Sequence, residues 1–394
     1  MRVLVDGTAV PPDRGGVGRY VDALLPALAR AGVQVAVACR PADAEVLGET
    51  GARPVVVPGA TDRRAVRLAW EQTGLPLLVR RTRADVVLSP HYTMPMLSPV
   101  PVVVTLHDAT FFTDPHLHLS VKAPFFRTAT RLAVRRASAL VVPSEATRDE
   151  VLRLLPAARR HADRFHVAYH GVDPTAFRPA SDDDVARVRA SLGLDGPAVV
   201  FLGTIEPRKN VPALVDGWVA AVQGMERPPA LVLAGARGWD DTLEDALRRV
   251  PPGLRVVVPG YVPYEDLAPL LTGADVVAYP SLGEGFGLPV LEAMACGATV
   301  LTTRRLSLPE VGGDAVAYTE PDAPAIARAL RALLDDPVRR SALGAAARAR
   351  AAGFTWDGAA QVHVRAFEDA LRGTRRGRTV PPAPGGAQSS SPSR

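Results

Sequence analysis

Cysteine is nearly absent from this 394-residue chain: Cys39 and Cys296 are the only two, one in each half. Neither a disulfide framework nor a cysteine-rich metal site can be built from them. Lysine is as scarce, with Lys122 and Lys209 the only two among 46 basic residues. Long apolar runs are missing too: no stretch reaches the roughly 20 residues that a membrane-spanning helix needs. The opening "MRVLVDGTAV" lacks the basic region and apolar block of a secretory signal and reads as a strand. Together these absences lead to the expectation of a cytoplasmic protein. Aromatic residues make up only 5%. No nucleic-acid-reading motif or aromatic platform accompanies the basic residues, so nucleic acid is not an expected partner.

The length favours two domains. Charge is divided unevenly: residues 1–175 carry a net +6, residues 176–371 a net −6, and residues 372–394 a net +5. A basic first half suits an anionic partner, and it equally suits arginine scattered over a solvated surface. Short β-branched runs alternate with helical stretches. In the first half they fall at 2–6, 33–39, 54–58, 85–89, 102–106, 139–144 and 165–169; in the second at 198–203, 230–235, 255–260, 275–280 and 298–303. Continuous apolar runs without alternation suit strands buried on both faces of a parallel sheet. The fold class expected is therefore α/β, with two Rossmann-like, doubly wound domains. The first would span residues 1–175 and the second 176–354. A helix at 355–372 would return towards the first domain, and 373–394 has the composition of a disordered tail.

Ligands of such sheets bind beyond the carboxyl ends of the strands, so those ends carry the functional signal. After the first strand, "DRGGVGRY" places Gly15, Gly16 and Gly18 ahead of an amphipathic helix. Backbone amides there can approach an anion, although a plain tight turn explains the glycines equally well. The spacing is not a dinucleotide fingerprint, and no acid ends the second strand, which argues against a dehydrogenase. "VVVTLHD" ends in His107 and Asp108, a pair well placed for a reacting group. The other histidines read as structural or exposed. "GTIEPRKN" (203–210) puts Arg208 and Lys209 side by side on a loop after a buried strand. A guanidinium fork beside a point charge suits a diphosphate. In a chain that almost always uses arginine, lysine at this position is not background basicity. No P-loop pattern is present.

"GEGFGLPVLEAMACG" (283–297) supplies two acids eight residues apart. Glu284 lies on a glycine loop at a strand end. Glu292 lies in a helix that has Pro289 in its first turn and Gly297 past its end. Carboxylates accept two hydrogen bonds from vicinal hydroxyls, so one could hold a sugar and the other a ribose. A cap acid plus a surface acid is the plainer explanation, but apolar neighbours at Val290, Leu291, Ala293 and Met294 weigh against it.

These motifs, in this order, resemble the retaining glycosyltransferases of the GT-B fold, family 4, over nearly the whole chain before the tail. The resemblance implies two domains facing across a cleft. It implies donor contacts from Gly15, Gly16, Arg208, Lys209, Tyr261, Val262, Glu284, Gly285, Phe286, Gly287, Leu288 and Glu292. Arg208 and Lys209 would take the pyrophosphate, Glu284 the transferred sugar, and Glu292 the ribose. His107 and Asp108 would lie on the acceptor side, and His107, Glu284, Arg208 and Lys209 at the reacting centre. The form "GTIEPRKN" is similar to the mannosyltransferase branch, which implies GDP-mannose as co-substrate and a glycan, lipid-linked or small-molecule acceptor. Neither a cofactor nor an obligatory metal is implied. The one D-x-D string, Asp182–Asp184, reads as a helix cap in the linker. The helix at 121–140, with Arg127, Arg131 and Arg135 on one face, could border the acceptor, lie on anionic lipid at the inner face of the plasma membrane, or pack as an ordinary domain helix. Two other readings stay open: a sugar-nucleotide epimerase or hydrolase on the same fold, and a non-catalytic nucleotide-sugar-binding subunit.

Overall fold

A computed structural model of the chain describes residues 1–10, 15–117 and 122–376; the side chains of 116 and 374–376 are excepted. The glycine loop's residues 11–14, His118 and the tail from 377 lie outside the described residues. Two sheets are present, and every described strand pairing is parallel. The first holds seven strands: β1 (Arg2–Asp6), β2 (Gln34–Cys39), β3 (Arg53–Val56), β4 (Val86–Ser89), β5 (Val102–Thr105), β6 (Ala139–Val142) and β7 (Phe165–Val167). The second holds six: β8 (Ala198–Leu202), β9 (Ala230–Ala234), β10 (Val256–Gly260), β11 (Val276–Tyr279), β12 (Val300–Thr303) and β13 (Ala317–Thr319). The orders are 3-2-1-4-5-6-7 and 10-9-8-11-12-13. Each order reverses direction at its first strand. The topological switch points, where such sheets open a crevice, therefore lie between β1 and β4 and between β8 and β11.

The strands form because Val, Leu and Ala fill positions covered by helices on both sides. β4, β5, β6, β8 and β9 are buried along their whole length. Helix Gly16–Arg30 buries Tyr20, Val21, Leu24, Leu25 and Leu28, the i, i+4 stripe of an amphipathic helix. Each large side chain so covered contributes roughly 1.5–3 kcal/mol. The terminal helix, Trp356–Arg376, packs beside it in the first domain's core through Ala359, Ala360, Ala366, Phe367 and Ala370. Arg30 and Asp357 join their ends at 2.6 Å. Tyr20 fixes this packing. Its hydroxyl donates to His363 Nε2 at 2.7 Å and accepts from Thr105 Oγ1 at 3.0 Å, while His363 Nδ1 donates to the Ala359 carbonyl. Burial holds the His363 imidazole down to about 4, which keeps it neutral and able to accept.

The chain therefore crosses between the domains twice, and the crossings lock together. Val172 N–H donates to the Phe354 carbonyl at 3.1 Å. His170 stacks on Trp356 with ring centroids 5.5 Å apart. Ser181 caps the helix Asp182–Ser191, so the D-x-D string occupies that helix's first turn. No helix among the described residues is long and apolar enough to cross a membrane.

Candidate active site

The carboxyl ends of β8 and β11 bring together three of the residues singled out in the sequence. Arg208 Nη1 meets Glu284 Oε2 at 2.6 Å, and Lys209 Nζ meets Glu284 Oε1 at 2.6 Å. The loop after β8 presents the cations from a single helical turn, Pro207–Lys209, which the left-handed Asn210 ends. The loop after β11 delivers Glu284. Three hydroxyl or ammonium groups converge on its Oε1: Lys209, Tyr279 at 3.0 Å and Ser281 at 2.7 Å. Burial alone would raise the Glu284 carboxyl, but Arg208 and Lys209 outweigh it and hold the group at about 2. The acid is a carboxylate at any working pH.

The pair is not a free dication. Arg208 Nη2 also meets Glu206 at 2.6 Å, so two acids answer two cations. Glu206 stands two residues before Arg208 in the same motif, and its part was not foreseen. Burial works against the Arg208 charge, yet Glu284, Glu206 and Asp108 hold its guanidinium well above the ordinary range. Burial and then the neighbouring Arg208 lower the Lys209 ammonium. An ammonium has three donors. Glu284 and the Tyr279 hydroxyl take two of them.

Glu292 is placed differently. It sits in helix Leu288–Ala295, is 3% exposed, and pairs through Oε1 with Arg19 of the first domain. Its Oε2 is buried with no hydrogen-bond partner among the described residues. Burial pushes this carboxyl up to about 7, against the pull of Arg19. The helix begins at Gly287, whose φ of +103° a side chain rarely adopts. No side chain among the described residues caps it; Pro289 has no amide hydrogen and the Val290 and Leu291 amides donate to the Gly287 carbonyl, so the Gly287 and Leu288 amides are what this helix start can offer an acceptor. Leu288 packs against both domain cores.

The domains touch directly around this loop. Ser144 Oγ and Thr147 Oγ1 donate to the Gly285 carbonyl at 2.7 and 3.1 Å. Glu310 crosses from the second domain and accepts the Glu145 and Ala146 amides at 2.9 and 2.7 Å, serving the N-terminus of helix Glu145–Leu154. The Phe286 ring is buried against His170 and Tyr169 at the hinge, so it anchors the loop and leaves only backbone towards a ligand.

On the facing edge, His107 is half-buried, with Nε2 donating to the Pro90 carbonyl at 2.7 Å and the ring edge-on to Tyr20. Burial lowers its imidazole. Asp108 spends Oδ1 on the Thr110 amide and hydroxyl, and lines a cavity of about 10 Å³ with Glu284, Thr147 and Glu150. Gly15 and Gly16 are exposed, and space in front of Gly16 is open. After β10, Tyr261 is 76% exposed while Val262 is buried. Helix Lys122–Arg136 is engaged on its basic side: Arg127 donates to the Phe111 carbonyl, and Arg127 and Arg131 lie over Phe112. Among the described residues no group of three or more His, Cys, Asp or Glu could hold a metal ion.

Comparison with known proteins agrees with this layout. The model described as "Glycosyl transferases group 1" matches residues 184–350, and the one described as "Glycosyltransferase Family 4" matches residues 14–176. The O-antigen chain mannosyltransferase B of Escherichia coli is 34% identical over 68% of this chain and 70% of its own. The D-inositol 3-phosphate glycosyltransferase of Kineococcus radiotolerans is 32% identical over 61% of this chain, and the chain spans only 59% of that relative's length. The structure of Anabaena Alr3699/HepE in complex with UDP and glucose superposes with a TM-score of 0.74 at 20% identity, covering 93% of this chain and 99% of that one. Two matched family models, one on each sheet, and the paired-sheet architecture lead to one assignment: the chain belongs to the family 4 (group 1) glycosyltransferases and has the GT-B fold.

Proposed function

We propose that this glycosyltransferase moves a hexose, in the first instance mannose from GDP-mannose, onto a hydroxyl of a glycan, a lipid-linked sugar or a small molecule, with retention at the anomeric carbon. The observation that carries the reading is the buried Arg208–Lys209–Glu284 cluster at the β8/β11 switch point, facing His107 across the domain contact. The mannosyltransferase name of one relative supports the choice of hexose.

In this reading the acceptor oxygen forms the new bond to the anomeric carbon as the bond to the diphosphate oxygen breaks. The acceptor's proton passes to the departing phosphate. Negative charge grows on the diphosphate as that bond lengthens. The remaining Lys209 donor, the Arg208 guanidinium and the Gly287 and Leu288 amides at the start of helix Leu288–Ala295 would meet it already oriented, which is where fixed dipoles lower a barrier most. Glu284 keeps its Oε2 side for a sugar hydroxyl, and Glu292 keeps its unpartnered Oε2 for the ribose. In this reading Arg208 and Lys209, although paired with Glu206 and Glu284, meet the diphosphate through their remaining donors, and no added metal takes part.

The first experiment is a thermal-shift screen with GDP, UDP, ADP and their sugars, since selective binding raises the melting temperature by mass action. Turnover of Lys209→Ala and Glu284→Ala follows on the donor so found. Removing one oriented donor should raise the barrier by on the order of 3 kcal/mol, about a hundredfold in rate. Wild-type turnover in both variants ends this assignment. The anomeric configuration of the product, read by NMR, tests retention. A rate unchanged in chelator tests metal independence.

A further inference from the structure

Arg19 has no role in the reading above, yet it crosses from the first domain to pair with Glu292 of the second. It follows the glycine loop in "GGVGRY" and leaves the helix Gly16–Arg30 on the side opposite its buried stripe. Its guanidinium lies 5.3 Å from the centre of the Phe177 ring and 5.6 Å from that of Tyr264. The two rings pack edge to face on each other, 5.6 Å between centroids, and the guanidinium lies against the pair. There it pairs with Oε1 of Glu292, whose Oε2 is buried and unpartnered among the described residues. A carboxylate on a helix wall can rotate. One held by a guanidinium that is itself packed against two rings is restrained.

We propose that Arg19 is a positioning residue for donor binding: packed against the Phe177–Tyr264 ring pair, it fixes one Glu292 oxygen so that the other meets the ribose diol, and thereby ties donor affinity to contact between the domains. The inference rests on the assignment of Glu292 to the ribose. It adds that this assignment needs a residue from the other domain. Among the described residues, the ionisable groups that bear on Glu292 are Arg19, Tyr264 on helix Tyr264–Thr272 and Cys296 one turn along its own helix. Burial raises the ionisation of both the tyrosine and the cysteine, so neither brings charge near neutrality. Arg19 is then the group that favours the carboxylate over the acid, and a protonated Glu292 offers the diol a poorer acceptor.

The test measures Kd for GDP and UDP, each against its 2′,3′-dideoxy counterpart, at pH 8 and 9, above the wild-type Glu292 carboxyl. The proteins are the wild type, Arg19→Ala, Arg19→Gln and Arg19→Lys. The wild type should prefer the ribo form by about tenfold or more, as expected for hydrogen bonds to a charged acceptor. Arg19→Ala and Arg19→Gln, in which the carboxyl rises further, should cut that preference to about threefold or less at pH 8 and regain part of it at pH 9. Arg19→Lys should keep most of it. The glutamine variant preserves bulk against the rings, so the test survives an alanine variant that fails to fold. A wild-type preference retained in full by Arg19→Gln at both pH values overturns the clamp and leaves the ribose assignment standing. A wild type with no ribo preference overturns the ribose assignment itself.

Discussion

A single methyl group at Gly285 should separate chemistry from folding. An ideal Cβ built there would lie 1.7 Å from the His107 carbonyl oxygen, 2.8 Å from its carbon and 3.0 Å from the Asp108 Cβ. All three atoms belong to the first domain. Within its own domain Gly285 has no positive φ, so alanine fits the local backbone. Ordinary contact begins at 3.4 Å, so the domains must part by about 1.7 Å at this point. That movement breaks the Ser144 and Thr147 bonds to the Gly285 carbonyl and carries His107 away from Glu284. Misplacement by 1 Å can cost about a hundredfold in rate. Gly285→Ala should therefore lose about a hundredfold or more in kcat, with the melting temperature unchanged within a few degrees. Donor affinity should fall by no more than about tenfold, the part that Arg19 brings, because Arg208, Lys209 and Glu284 stay together in the second domain. Steady-state kinetics, calorimetric titration with the nucleotide and a thermal melt read the three quantities. Turnover near wild type would refute the reasoning, since it would show that catalysis does not need this contact.

Other perturbations follow from the same geometry. Glu71 is buried between Arg67, Thr93 and Gln72, and burial pushes its carboxyl up to about 7, with Asp6 adding to the rise. The unfolded chain releases this proton near 4.5 and the folded chain near 7, so stability falls as pH rises between them, by up to about 3 kcal/mol. Whatever the other buried groups add to both slopes, Glu71→Gln should gain stability relative to wild type as pH rises through 5, 6 and 7 in urea melts. Equal slopes would count against the assignment. Tyr20→Phe strands His363 Nε2 without its donor and should cost about 1–3 kcal/mol in urea unfolding. Glu310→Gln removes the negative charge that serves the amides of Glu145 and Ala146 and should weaken the domain contact by about 1 kcal/mol. Small-angle scattering should then show a more open average shape, whereas an unchanged profile would assign the contact no closing role.

The fold was largely legible because its signal is local. Twelve β-branched runs match twelve strands within two residues at each end, since a strand buried on both faces must be apolar throughout. β13 escaped notice because it is three residues long, just beyond the Gly312–Gly313 turn. The cluster of Arg208, Lys209 and Glu284 was legible because each residue follows a recognisable strand, and strand ends share one edge. What the motifs concealed is pairing. Nothing near Glu292 in sequence names Arg19, 273 positions away, because that contact exists only once the domains meet. Glu206 was in plain view in the same motif but was given no part, although it cancels half of the charge assigned to its neighbours. The burial of the Phe286 ring against His170 and Tyr169 was equally hidden, because those residues belong to the other domain.

The return of helix Trp356–Arg376 to the first domain has a practical corollary for recombination. A chimera that exchanges front halves between relatives at the Val167–Asp182 link would dress the transplanted sheet with a foreign terminal helix, and the Tyr20–His363 bond would have to be matched by chance. Swapping the front segment and the last helix as one cassette, with the second domain inserted between them, keeps that core intact. The second domain is then a module nested inside another, and the inner one can be transplanted alone.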